Sequence, residues 1–240
     1  MATTPDTSPE SGSSHDRLIR DLAVDLAPVR LLPAPGVRAL LWLAVVAAIA
    51  IALTVIADFA AAWHRVIAAP DLWLAVIGST LTAVLAAIAA FELSLPDARR
   101  AWALLPLPAV LLWVGASGVG CLRAWVLPDT HIAALDETGE CLLFIVGLSV
   151  PLSVLLLAML RKACPLQPGL TAIVAGLASA AAAATLLNLF HPFDAAATDL
   201  TVHVLAVAVV VVVNRALGGR VLGTANYFPA RVTRTPVGSK

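Results

Sequence analysis

Residues 170–190 read LTAIVAGLASAAAAATLLNLF, a run of apolar and small residues without a single charged side chain. At about 1.5 Å per residue, a helix of this length crosses the roughly 30 Å hydrocarbon core of a bilayer. Within the run, Gly176, Ala180 and Ala184 recur at four-residue spacing. Small residues at this spacing are typical of membrane helices that approach one another closely. The stretch therefore predicts a tightly packed transmembrane helix.

Five further apolar runs lie along the chain, so six spans are predicted. The others are residues 37–57, 72–91, 101–121, 141–160 and 200–213. The last is short, but it continues to Leu217 with Arg215 as its only charge. Sixty per cent of the 240 residues are hydrophobic and 12% are charged, which is the composition of a bilayer protein. Because an open sheet cannot satisfy its backbone in lipid, the predicted fold class is all-α, a polytopic bundle of six transmembrane helices.

The Lys and Arg residues sort almost entirely to one side of these spans. If the N-terminus is inside, thirteen of the fifteen lie in the inner segments, which are residues 1–38, 92–100, 161–169 and 214–240. The outer segments keep only Arg65 and Arg123. This positive-inside bias predicts that both termini are cytoplasmic.

The expected organisation follows from these boundaries. Residues 1–37 form a cytoplasmic N-terminal tail, residues 38–217 the six-helix membrane domain, and residues 218–240 a basic cytoplasmic tail. The last tail carries no acidic residue, so it is expected to lie against anionic lipid headgroups. It lacks a folded nucleic-acid-binding motif, and no direct contact with nucleic acid is expected.

Transport and catalysis are disfavoured by the residues inside the spans. Coupled transporters place ionisable groups in mid-membrane, whereas ionisable residues here lie only at span ends. Polar span residues such as Thr80, Thr82 and Thr185 are expected to form hydrogen bonds between helices. No phosphate-binding glycine loop and no HExxH motif occurs. We expect neither enzyme activity nor a cofactor, and a small pore or transporter is kept as an alternative.

A short amphipathic helix is predicted at about residues 15–27 of the N-terminal tail. Its apolar face consists of Leu18, Ile19, Leu22 and Leu26. Ser14 fits an N-cap, and Pro28 ends the helix. A helix of about 13 residues is only marginally stable alone in water, so its apolar face is expected to pack against another surface. The polar face carries three Asp against two Arg, whereas helices that lie on membranes usually have a basic polar face. This balance favours a protein partner.

Residues 18–33, LIRDLAVDLAPVRLLP, followed by Arg38 and the first span, resemble the N-terminal signature of the NrsF family of six-span membrane anti-sigma factors. Residues 159–169, MLRKACPLQPG, are similar to the inner loop of that family between spans four and five. Residues 189–194, LFHPFD, are similar to the segment that leads into its final span. The resemblance covers nearly the whole chain.

This resemblance implies a function and a binding segment. Such proteins hold an extracytoplasmic-function sigma factor at the inner membrane through their cytoplasmic N-terminal segment, and release it when a stress signal is sensed. Carried over to this chain, the residues that contact the sigma factor would be Leu18, Ile19, Leu22, Asp25, Leu26, Pro28 and Val29.

Candidates for sensing a signal lie on or near the predicted outer side. They are Cys121, Cys141, His131, His191 and His203. In an oxidising periplasm, Cys121 and Cys141 would form a disulfide if their Cα atoms came within about 6 Å of each other. Thiolate and imidazole groups would alternatively gather a soft or borderline metal. A third interpretation is that the cysteines pack as small apolar residues and the histidines lie at the membrane interface. A membrane metal or redox module is therefore a further functional alternative.

Overall fold

The computed structural model describes residues 10–24, 31–56, 60, 63–64, 67, 70–126, 135–190 and 200–224. These residues form helices and no strand, and six of the helices are long and apolar enough to cross a membrane. The prediction of an all-α bundle with six transmembrane helices is therefore confirmed. The cytoplasmic position of the two termini stays a prediction. The chain divides into two units, residues 1–32 and residues 33–240.

The first unit contains one helix, α1, from Glu10 to Val24. The helix begins five residues before the predicted start, so the prediction of Ser14 as its N-cap is wrong, and Ser14 lies in the second turn. The polar residues Glu10 to Ser13 carry no apolar periodicity that would reveal a helix. The predicted end of the helix lies outside the described residues.

The described residues of the second unit include six long helices and a short one. The long helices are α2 (Pro35–Ile56), α3 (Pro70–Glu92), α4 (Leu107–Val126), α5 (Leu135–Arg161), α6 (Pro168–Phe190) and α7 (Leu200–Val213). Three of them begin at proline, whose missing N–H costs nothing in the first helical turn. A 3₁₀ turn at Arg100–Leu104 precedes α4. A π-helical turn at Asn214–Gly218 joins α7 to α8 (Gly219–Thr224).

The alanine-rich helix α6 lies at the centre of this unit. It packs against α3, α5 and α7, and most of its residues are buried. At Gly176 an added Cβ would lie 2.9 Å from the Cβ of Asn214 and 3.1 Å from the Cα of Val211. Ala180 and Ala184 are also buried, at 0% and 2% exposure. The small-residue stripe therefore allows close helix packing, as the sequence predicts.

Polar side chains within the helices mostly bond to their own helix. The Thr80 hydroxyl donates to the carbonyl of Val76, and the Thr82 hydroxyl donates to the carbonyl of Gly78, both at 2.7 Å. The expectation of bonds between helices is wrong for these two residues, because a threonine hydroxyl reaches the carbonyl one turn back. Other polar side chains do bond across helices, among them Thr185 Oγ1 with Ser79 Oγ at 2.9 Å and Asn214 Nδ2 with Ser153 Oγ at 3.0 Å.

Candidate functional site

The apolar face of α1 is the first candidate site. Leu18, Ile19 and Leu22 are 57%, 64% and 64% exposed. In a helix these three positions lie within about 100° of one another, so they form one continuous apolar strip. The other predicted contact residues, Asp25, Leu26, Pro28 and Val29, lie outside the described residues. On the polar side, Arg20 Nε donates to the carbonyl of Asp16 at 3.5 Å.

The predicted sensing residues are only partly described. Cys121, Cys141 and His203 lie in α4, α5 and α7, but their side chains are not among the described ones. His131 and His191 lie outside the described residues, so the disulfide and metal interpretations stay predictions. The described part of the chain contains no group of three His, Cys, Asp or Glu side chains that could hold a metal ion.

Arg38 is a candidate functional residue that the sequence pattern did not reveal. It lies in the first turn of α2 and is only 5% exposed. Its Nη1 donates to Ser94 Oγ at 3.4 Å, and its Nη2 donates to the carbonyl oxygen of Met159. The guanidinium also lies over the ring of Phe91, 4.8 Å from the ring centroid, which is within the range of a cation–π contact. One side chain thus contacts three residues on two other segments.

The acceptors of Arg38 lie where helices end. Met159 is in the last turn of α5, where backbone carbonyls have no N–H partner within the helix. This end of the helix is also the negative end of its dipole, so it favours a cation. Ser94 follows the end of α3, and its hydroxyl donates to the carbonyl of Phe91 at 2.6 Å. Arg38 therefore ties the start of α2 to the ends of α3 and α5.

Trp42, one turn further along α2, makes a second contact of the same kind. It is fully buried, and its Nε1 donates to the carbonyl of Leu152 in α5 at 3.2 Å. We call Arg38 and Trp42, with their acceptors Ser94, Met159 and Leu152, the Arg38–Trp42 seam. The seam connects the start of α2, directly after the N-terminal unit, to α5. The opposite end of α5 follows the segment that carries His131, and Cys141 lies within its first two turns.

Charge sorting alone did not identify the seam. The positive-inside rule assigns Arg38 to water at the inner side of the first span, and it does not distinguish a solvated arginine from one that caps neighbouring helices. The available signal was the spacing of Arg38 and Trp42. Two long hydrogen-bond donors four residues apart lie on the same face of a helix.

These features define the class of the protein: a polytopic helical bundle suited to a membrane, preceded by a separate amphipathic helix. The chain belongs to the NrsF family, described as negative regulator of sigma F, and the match spans residues 22–223. The matched region includes Leu22 of the apolar strip, both donors of the seam and all six long helices. The resemblance noted in the sequence is thereby confirmed. Neither a curated protein nor a solved structure shows a significant match to the chain.

Proposed function

We propose that this chain is a membrane-bound anti-sigma factor that sequesters an extracytoplasmic-function sigma factor at the inner membrane. Its family supports negative regulation of a sigma factor. The observation that carries the binding segment is the exposed strip of Leu18, Ile19 and Leu22 on α1. The protein acts as a regulator and not as an enzyme.

The chemistry of α1 suits a helix that binds in a groove of its partner. Apolar residues at positions i, i+1 and i+4 provide anchors for such a groove. Burial of a leucine or isoleucine side chain contributes about 1.5–3 kcal/mol, so three anchors give a useful affinity after the cost of ordering the segment. Asp16 and Asp21 on the polar side would complement a basic surface on the sigma factor and speed the encounter.

Release would depend on two states of the bundle. An event on the outer side, at the segment that leads into α5, would shift α5 and thereby weaken or re-form the Arg38–Trp42 seam. Such an event acts only through its different affinity for the two states. A change in occupancy from 99:1 to 1:99 requires about 5.5 kcal/mol of differential free energy, which a disulfide or a metal bond can supply.

The binding proposal is tested by co-purification. The full-length chain, tagged at its C-terminus and produced in turn with each extracytoplasmic-function sigma factor of its own genome, is expected to retain one of them in detergent. Leu18→Asp combined with Leu22→Asp should abolish retention, because two carboxylates cannot enter an apolar groove unpaired.

Val24→Asp is the matched control. Val24 is also apolar and is 83% exposed, but it lies on the opposite side of α1. This variant should retain the sigma factor. If the double variant retained it as well, or if Val24→Asp released it equally, the strip would not be the binding surface.

A further inference from the structure

A long apolar groove runs between α5 and α7 and has a volume of about 770 Å³. On the α5 side, the lining residues recur every three to four positions from Val146 to Lys162, which corresponds to about 24 Å along the helix. The opposite wall comes from α7, the π-helical turn and α8. Most of the lining residues are Val, Leu, Ala and Gly, and none is acidic. We call this feature the α5–α7 groove.

Two cationic residues lie at one end of the α5–α7 groove. Arg161 and Lys162 line it and are exposed. This is the end at which Arg38 binds the Met159 carbonyl, so it lies on the side of the bundle from which α2 starts. A groove that is apolar along its length and cationic at one end matches an amphiphile with an anionic headgroup.

Two buried polar atoms in the groove wall have no hydrogen-bond partner among the described residues: Ser149 Oγ and Asn214 Oδ1. The side chains are 0% and 5% exposed. The Asn214 amide is held in place, because its Nδ2 donates to Ser153 Oγ and to the Val210 carbonyl. Asn214 also opens the π-helical turn, and π-helical turns occur frequently at functional sites. An unmade buried hydrogen bond is costly, so the described residues of the bundle do not fully satisfy this wall of the groove.

We propose that the α5–α7 groove binds one anionic glycerophospholipid. Its phosphate lies at Arg161 and Lys162, and an acyl chain lies along the apolar wall. At about 1.5 Å per residue, Ser149 lies about 18 Å along α5 from Arg161, so the acyl chain and not the headgroup passes it.

A second copy of the chain is a poorer occupant of the same groove. Pairing two identical faces around a twofold axis would bring Arg161 and Lys162 of both copies to the same end of the interface. The lining offers no acidic residue to compensate these like charges, and like-charge contact opposes association.

The test is native mass spectrometry of the full-length protein in detergent, titrated with phosphatidylglycerol and, separately, with phosphatidylcholine that has the same acyl chains. One phosphatidylglycerol should bind about thirtyfold more tightly than phosphatidylcholine, the ratio that corresponds to about 1 kcal/mol for each of two nearby cations. Arg161→Gln with Lys162→Gln should bring this ratio close to one. These residues are exposed, so the variant is expected to fold.

Two further variants distinguish a bound lipid from a second copy of the chain in the groove. Arg99→Gln with Arg100→Gln removes two exposed cations that do not line the groove, and should leave the preference unchanged. Ala158→Phe, which fills the groove, should lower binding of both lipids. The proposal is overturned if the unmodified protein binds both lipids equally, or if the two double variants lose the preference equally. It is also overturned if Ala158→Phe dissociates a dimer while lipid binding is unchanged. None of these readouts requires the sigma factor.

Discussion

Helices α6 and α2 are held in the bundle in different ways. Of the apolar stretch of α6, 78% is buried, against 17% for α2. Small residues let α6 pack closely on three neighbouring helices, whereas α2 packs mainly against α3 and is also held by directional bonds from Arg38 and Trp42. A helix with extensive packing moves only if the whole core opens, while a helix held by a few bonds can detach locally at a smaller cost. We therefore expect α2 to detach from the bundle at a smaller cost than α6.

The largest effect is expected at the close contact of α6 with α7. Gly176→Val would place its Cβ against the Cβ of Asn214 and the backbone of Val211, and backbone cannot yield as a flexible side chain does. We expect the free energy of unfolding in detergent to fall by about 3 kcal/mol or more, with all helices affected together. Thermal unfolding followed by circular dichroism measures the change.

Gly147→Val is the matched control for this substitution. Gly147 lies in α5, and an added Cβ there would meet nothing within 4 Å. Its effect should stay within about 1 kcal/mol. Equal losses for the two variants would show that glycine as such, and not the close approach at α6, determines stability.

The contrast between α6 and α2 also shows which parts of the fold can be predicted from the sequence. Span positions follow from run length and hydrophobicity, which depend on local composition alone, so all six helices were predictable. The attachment of α2 was not, because it depends on which helix ends lie beside Arg38 in three dimensions. The sequence shows the cation but not the Met159 carbonyl that accepts from it.

The candidate binding strip on α1 was predictable in the same local sense. Leu18, Ile19 and Leu22 share a face at helical spacing, and the structure exposes all three. The start of α1 was not predictable, because the polar residues before Ser14 carry no periodic signal. The π-helical turn at Asn214–Gly218 has no characteristic amino-acid composition either; its last residue, Gly218, lies close to Leu157 and Ala172 of neighbouring helices.

A smaller and more local effect is expected at Arg38. Arg38→Met removes both hydrogen bonds and leaves the Met159 carbonyl without its donor, at a cost of about 1.5–3 kcal/mol. Hydrogen exchange should speed up in the first turns of α2 and stay unchanged in α6. Arg38→Lys should restore only part of the protection, since a single ammonium cannot reproduce the two-ended contact of the guanidinium.

The exposed Arg100 provides the control for Arg38, because Arg100→Met removes a cation on another segment. Exchange in α2 should not change in that variant. If Arg38→Met loosened α6 as much as α2, the two helices would form one cooperative unit, and the proposed detachment of the first span would be wrong.

The smallest effect is expected at Trp42. Trp42→Phe keeps most of the buried ring but removes the Nε1 donor to the Leu152 carbonyl, which should cost about 0.5–1.5 kcal/mol. The loss is smaller than at Arg38 because Leu152 lies inside α5, where its carbonyl also accepts from the backbone one turn ahead. Met159, in the last turn, has no such second donor. Comparing hydrogen exchange in α2 for Arg38→Met and Trp42→Phe therefore distinguishes attachment through the end of α5 from attachment through the Trp42 ring. A larger loss for Trp42→Phe than for Arg38→Met would mean that ring packing, and not the capped end of α5, attaches the first span.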